Sequence, residues 1–222
     1  MNDLKALVLG ASGLVGSQVL DQLLADPAYA EVRILVRRQL EISHPKLVQR
    51  VTNFSDLSTD IKNFGNADVI FCCVGTTQKK VAGDISAYRK VDHDIPVTAA
   101  KTGAECGYTK YLLVSAVGAS ERSSNFYLKL KGETEKDVSA FSYDTIGIFQ
   151  PSILLGNRKE VRPGEKLMQK MTKLFTGILL GSLKKYRAID AREVAAAMIH
   201  VSKEPPMGIK YFTYADMQAA IS

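Results

Sequence analysis

Leu4-Lys-Ala-Leu-Val-Leu9-Gly10-Ala11-Ser12-Gly13-Leu14-Val15-Gly16 carries an apolar segment straight into three glycines spaced three residues apart, and a helical pattern follows. Strand, glycine-rich turn and helix in that order make a dinucleotide-binding turn. A turn this tight needs a residue that tolerates positive φ, and a pyrophosphate approaches the backbone only where no Cβ intervenes. Gly10 and Gly13 fit those two tasks. Gly16 lets the following helix pack close to the strand, and Val15, Val19, Leu20, Leu23 and Leu24 give that helix an apolar face.

The second strand reads Val32-Arg-Ile-Leu-Val36. In dinucleotide folds an acidic residue roughly 20 positions beyond the glycines holds the adenosine 2′-hydroxyl. Val36 stands in that place, and Arg37 and Arg38 follow it. Guanidinium groups grip a 2′-phosphate through charge-assisted, bidentate hydrogen bonds. The expected cofactor is therefore NADP(H), with NADPH preferred over NADH.

Strand and helix signals alternate along the rest of the chain, which predicts an α/β fold with a doubly wound parallel sheet and a small C-terminal appendage. Leu47–Thr52 reads as a third strand leading to Asp56-Leu57, and Asp68–Val74 as a fully buried fourth strand that ends at Gly75-Thr76-Thr77. One helix over about Ser86–Ala104 then precedes a fifth strand, Tyr111–Ser115. A helix near Phe126–Ala140 and a sixth strand, Thr145–Phe149, come next. The carboxyl ends of such strands share one edge, so Gly75, Ser115 and Pro151 are expected to line the crevice that holds Gly13.

Ser115, Tyr127 and Lys131 are the expected catalytic residues. Tyr127-x-x-x-Lys131 puts a phenol and a cation on one helical face, one turn apart, where the cation favours the phenolate and assists a general acid. With nine tyrosines in 222 residues one such match arises readily by chance, so its setting matters. It lies on a predicted helix and follows a serine at the end of a buried strand. In that arrangement Tyr127 moves the proton, Lys131 tunes it and holds the nicotinamide ribose, and Ser115 orients a carbonyl oxygen that becomes an alkoxide.

Length and composition suit one domain over residues 1–222 with a substantial core. The first strand begins almost at the initiator methionine, so no signal peptide is expected, and no apolar run reaches the roughly 18 residues of a membrane span. Cys72, Cys73 and Cys106 are odd in number without Cys-x-x-Cys spacing, which fits a reducing, cytoplasmic setting. Cys72 and Cys73, adjacent on a strand, read as packing on opposite faces. His44, His93 and His200 are scattered, so no metal site is expected.

From Leu4 to about Phe212 the sequence resembles an atypical short-chain dehydrogenase/reductase of the Tat-interacting-protein-like group, with bacterial oxidoreductase relatives. The resemblance rests on Gly10 to Gly16, Arg37-Arg38, Tyr111-Leu-Leu-Val-Ser115, Ser124-Asn-Phe-Tyr127 through Lys131-Gly-Glu, Gln150-Pro-Ser-Ile-Leu-Leu-Gly156 and Arg162-Pro-Gly-Glu165. It implies a Rossmann-like fold that binds NADP(H), with Pro151 and Ile153 near the nicotinamide and Asp56 and Leu57 near the adenine. The pattern departs at Val91-Asp92, where extended relatives usually carry an asparagine. An ionised aspartate accepts hydrogen bonds but cannot donate them, so the relatives' proton relay does not transfer directly.

The net charge of +6 is concentrated. Between Arg158 and Arg187 nine Lys or Arg face only Glu160 and Glu165, while Leu167, Met168, Met171, Leu174, Phe175 and Ile178 sit at helical spacing among them. Residues 156–188 are accordingly expected to cover the substrate crevice, with a membrane surface or a protein partner as the less favoured occupant. Nucleic acid is an unlikely partner despite a pI near 9.1, because the excess is local and no binding motif accompanies it. Two functions remain: an NADP(H)-dependent oxidoreductase acting on a small carbonyl or related substrate, or an NADPH-binding regulatory module without turnover. A homo-oligomer is compatible with either.

Overall fold

The computed structural model describes residues 3–77, 81–156 and 181–222. The strand β1 (Leu4–Leu9), helix α1 (Leu14–Ala25) and strand β2 (Tyr29–Val36) form the first unit, followed by β3 (Leu47–Val51), α2 (Leu57–Lys62) and β4 (Val69–Cys72). Helices α3 (Ile85–Arg89) and α4 (Ile95–Glu105) flank a π-helical turn at Lys90–Asp94. Then come β5 (Lys110–Val114), α5 (Phe126–Val138), β6 (Thr145–Phe149) and β7 (Leu154–Leu155). A 3-10 helix at Gly181–Tyr186 leads into β8 (Ile189–Asp190), α6 (Ala191–Lys203), β9 (Gly208–Phe212) and α7 (Tyr214–Ile221).

Seven strands form one sheet in the order β3-β2-β1-β4-β5-β6-β9, and each pairing is parallel. β1 lies between β2 and β4, so the strand order reverses there and the loops after β1 and β4 open a crevice at the carboxyl edge. β7 and β8 form a separate parallel pair. The doubly wound α/β architecture is the one anticipated from the sequence.

Both sheet faces are buried, which explains why the strands are apolar throughout rather than alternating. Ala6, Val8, Ile34 and Phe71 point to a core shared with Val15, Val19 and Leu23 of α1 and Val194 and Met198 of α6. Leu7, Leu9, Leu35, Ile70 and Cys72 point the other way, onto Ile61 of α2 and Ile95 and Ala99 of α4. Cys72 and Cys73 occupy opposite faces, Cys73 packing against the first core.

The single helix expected over Ser86–Ala104 is interrupted, and Pro96 is the reason. A proline at that place cannot donate to the Asp92 carbonyl four residues back. Instead the Ile95 N–H donates to Lys90 O, five residues back, and the Thr134 hydroxyl lies 3.1 Å from the Asp92 carbonyl. The widened turn rotates Asp92 into the protein. β2 begins earlier than expected, at Tyr29, whose hydroxyl is hydrogen-bonded to Ser202 of α6. The basic stretch expected to cover the crevice lies largely at 157–180, outside the described residues. Beyond it the chain rejoins the main body: α6 packs on α1, and β9 edges the sheet against β6.

A Cβ added at Gly16 would sit 2.1 Å from the Gly10 carbonyl oxygen, a contact that only a shift of the turn or the helix relieves. Gly16→Ala should therefore lower the unfolding free energy by about 1–3 kcal/mol in urea titration; an unchanged midpoint would show that α1 has room to retreat.

Candidate cofactor and active site

The crevice starts at the glycine turn. Gly10 has φ +82°, and a Cβ there would meet the Cys73 carbonyl oxygen at 2.6 Å, so this residue serves both the turn and the close approach of β1 to the end of β4. Gly13 has an ordinary φ of −83°; it caps α1 without a side-chain hydrogen bond, and its N–H donates to Gly10 O at 2.8 Å. Ser12 and Gly13 are exposed, and the first turn of α1 carries no acidic residue. A twelve-residue helix thus presents an uncapped, electropositive end to the crevice, which fits a pyrophosphate. Ala11 and Val15 are buried behind the turn, and Leu14 is part-buried beside Gly156.

Arg37 and Arg38 follow β2 directly and are exposed. Asp56 caps α2 by accepting the Thr59 N–H at 3.1 Å, and hydrogen bonds from Thr59 hold its carboxyl below the usual range. Leu57 is buried in the core beneath it. Asp56 and Leu57 border a shallow cavity of about 250 Å³ with Phe54, Lys90, Asp94 and Thr98, on the side expected for the adenine. A larger groove of about 620 Å³ lies between α1, α6 and α7 and is lined by none of the expected site residues.

At the other end of the crevice a buried polar chain begins at the loop after β4. The Thr76 N–H donates to Asp92 Oδ2 at 2.7 Å, and Asp92 Oδ1 lies 3.0 Å from Lys131 Nζ. Gly75 sits close enough that a Cβ would meet Asp92 at 3.5 Å, and Thr77 continues the same loop. Asp92 and Lys131 are 1% and 4% exposed. Burial works against the lysine's charge, but Asp92 and the neighbouring Tyr127 outweigh it, so the ammonium is held above the ordinary lysine range. Tyr127, one turn earlier on α5, is 38% exposed. Lys131 is therefore both the cation near the phenol and the partner of the buried Asp92.

Ser115 is buried beside this chain, and its hydroxyl donates to Glu135. Gln150 Nε2 donates to both Glu135 oxygens, at 2.9 and 3.1 Å. Burial raises the Glu135 carboxyl above the usual carboxylate range, against the opposing pull of the Ser115 and Gln150 hydrogen bonds and of Lys131. Pro151 accepts the Val117 N–H at 3.0 Å, and Ile153 accepts the Ile189 N–H at 3.0 Å, which ties the segment after β6 to both the Ser115 loop and β8. The fold thus brings together Gly10, Gly13, Gly75, Thr76, Ser115, Tyr127, Lys131 and Pro151 along one edge.

Glu135 and Gln150 were not singled out from the sequence. Tyr127, Lys131 and Glu135 repeat at four-residue spacing, so extending the helical face by one more turn would have found the carboxylate. Gln150 opens the motif Gln150–Gly156 on which the resemblance partly rests, without a role assigned to it there. Among the described residues no group of three or more His, Cys, Asp or Glu converges as a metal would require.

A carboxyl raised by burial binds its proton more tightly when folded than when unfolded. The stability this lends is fully present below the ordinary glutamate value of 4.5 and is lost as pH rises through the folded value. Glu135→Gln has no such proton to lose. Its urea midpoint, compared with that of the parent, should improve as pH rises above the ordinary glutamate value of 4.5; a difference that stays constant with pH would show an unperturbed carboxyl.

Comparison with known proteins identifies the family. A family model described as NAD(P)H-binding matches residues 10–144. The rat protein HTATIP2 is 33% identical over 94% of this chain and 85% of its own length, and FMP52 of Aspergillus fumigatus, named as mitochondrial, is 30% identical over 87% of this chain and 84% of its own. Among solved structures, a UDP-N-acetylglucosamine 4-epimerase from Methanobrevibacter ruminantium superposes with a TM-score of 0.71 at 17% identity, covering 96% of this chain and 77% of that one. The Bordetella bronchiseptica enzyme WbmH in complex with NAD+ gives 0.73 at 12% identity, covering 95% and 75%. Those two show the shared fold. The chain belongs to the NAD(P)H-binding family, as a relative of HTATIP2.

Proposed function

We propose that this protein is an NADP(H)-dependent oxidoreductase acting on a small carbonyl compound or the corresponding alcohol, with Ser115, Tyr127 and Lys131 at the chemistry. The observation that carries the reading is the polar chain from Thr76 through Asp92 to Lys131, with Tyr127 one helical turn from Lys131, placed along the same edge as the glycine turn. The residues present fit the cofactor. Backbone N–H groups of Ser12, Leu14 and Val15 would hold the pyrophosphate, Arg37 and Arg38 the 2′-phosphate, Asp56 and Leu57 the adenosine end, and Lys131 the nicotinamide ribose. Pro151 and Ile153 would bound the nicotinamide face. When bound, the nicotinamide supplies or accepts the hydride.

The chain's own groups do the rest. Tyr127 delivers the proton to the substrate oxygen, or removes it in the reverse direction, with Lys131 one turn further along the same helix. Asp92 keeps Lys131 in place and its charge compensated. Ser115, whose proton is directed to Glu135, offers lone pairs to a substrate hydroxyl and can donate to a carbonyl oxygen when the hydroxyl turns. The covering segment at 156–188 would exclude water and select the substrate.

A second reading, an NADPH-binding module without turnover, draws on the engagement of Lys131 with Asp92 and of Ser115 with Glu135. The cytoplasmic location is also a proposal: all three cysteines are free thiols, which fits a reducing compartment, while the FMP52 relatives are mitochondrial by name.

Titration of the nicotinamide's own emission tests the cofactor that both readings share, since the chain has no tryptophan, and a carbonyl screen separates them. NADPH should bind at least about tenfold more tightly than NADH, and Arg37→Ala with Arg38→Ala should remove that margin, each charge-assisted bond being worth about 1.5–3 kcal/mol. Equal affinities in the parent would end the NADP(H) assignment. In a carbonyl screen, Tyr127→Phe should reduce turnover about a hundredfold or more while leaving NADPH affinity intact; undiminished turnover would remove Tyr127 as the acid.

A further inference from the structure

The loop 37–46 joins β2 to β3, and its first residues are the exposed Arg37, Arg38 and Gln39. Two residues after the arginine pair, Leu40 turns inward and packs against the core on the α1 side. Gln49, in the middle of the edge strand β3 and in register with Ile34 of β2, reaches back to that point. Its side-chain amide pairs with the Leu40 backbone in both directions: Leu40 N–H donates to Gln49 Oε1 at 3.1 Å, and Gln49 Nε2 donates to Leu40 O at 3.2 Å. The same Nε2 donates to Ile42 O at 2.9 Å. One side chain therefore supplies three of the loop's backbone hydrogen bonds. The far end is fastened separately, by Lys46 Nζ to Asp26 O at 2.8 Å and by the Leu47 N–H to His44 O at 2.9 Å.

We infer that Gln49 is a positioning residue for cofactor choice: by fixing the backbone at Leu40 and Ile42 it pre-orders the arginine pair for a 2′-phosphate. This rests on the NADP(H) reading above. The physical argument is one of ordering entropy. A guanidinium pair grips a phosphate well only when its backbone is already in place, because a loop that must be ordered on binding spends part of the interaction on that ordering. A ligand without the 2′-phosphate makes no use of the arginines, so it gains nothing from the ordered loop. Gln49 should accordingly act on the ratio of the two affinities rather than on cofactor binding in general. A residue with a purely structural role would lower both affinities together.

The test compares the full-length parent, Gln49→Met, Gln49→Thr and the Arg37→Ala/Arg38→Ala variant in titrations with NADPH, NADH, 2′,5′-ADP and 5′-AMP. Methionine keeps the length of the side chain without its amide. Threonine suits an edge strand and is too short to reach Leu40, so it serves if the methionine variant folds poorly. The expected result is that both Gln49 variants weaken NADPH and 2′,5′-ADP about five- to tenfold, with NADH and 5′-AMP unchanged. If the arginine variant loses the NADPH preference while the Gln49 variants retain it, or if the Gln49 variants weaken all four ligands alike, the inference is overturned and the cofactor reading stands. If the arginine variant binds all four ligands as the parent does, the cofactor reading fails and this inference falls with it.

Discussion

The close approach of α1 to the end of β1 is the constraint on which the crevice depends. Gly10 faces the Cys73 carbonyl and Gly16 faces the Gly10 carbonyl at distances that leave no place for a methyl group. These two contacts set how far α1 can advance over the sheet, and hence where its open N-terminal end meets the loop after β4. A side chain at either position would force the helix or the turn outward and close or displace the anion seat. The same placement brings Val15, Val19 and Leu23 onto Ala6, Val8 and Phe71, so the core and the crevice are set together.

The floor of the crevice is organised by a second constraint, the buried pair of Asp92 and Lys131. Two charges withdrawn from water incur a desolvation cost that their attraction offsets only when the geometry is good and the remaining lone pairs are used. Here Thr76 uses the second oxygen of Asp92, and Pro96 removes the backbone bond that would otherwise keep the helix regular at that turn. The pair is better regarded as a device of position than as a source of stability. It binds three separate parts of the chain, the loop after β4, the π turn and α5, into one arrangement around Tyr127.

The fold was legible because its signals are local and redundant. A glycine turn between a strand and a helix, fully apolar strands and regular helical faces each pointed to a doubly wound sheet, and the expected Ser115, Tyr127 and Lys131 lie along its carboxyl edge. What the sequence concealed depends on contacts between distant segments. The π turn follows from Pro96, which leaves the Asp92 carbonyl without its helical donor, and from Thr134, far along the chain, whose hydroxyl takes that carbonyl up. The Ser115–Glu135–Gln150 cluster joins the ends of β5 and β6 to α5. The strand β7 is two residues long and exists through its pairing with β8 across the intervening chain. Periodicity reports which face of an element is buried, but not which polar side chains will meet once the faces have come together.

The compensation of Lys131 by Asp92 also governs how an anionic dinucleotide would arrive. A close pair of opposite charges looks neutral from a distance, so the deep end of the crevice exerts almost no long-range pull. Attraction that extends over a Debye length of roughly 8–10 Å has to come from uncompensated charge at the surface. The exposed Arg37 and Arg38 would supply it together with the basic stretch between Arg158 and Arg187. The association rate should be sensitive to ionic strength through the rim, while the dwell time is set by the neutral interior.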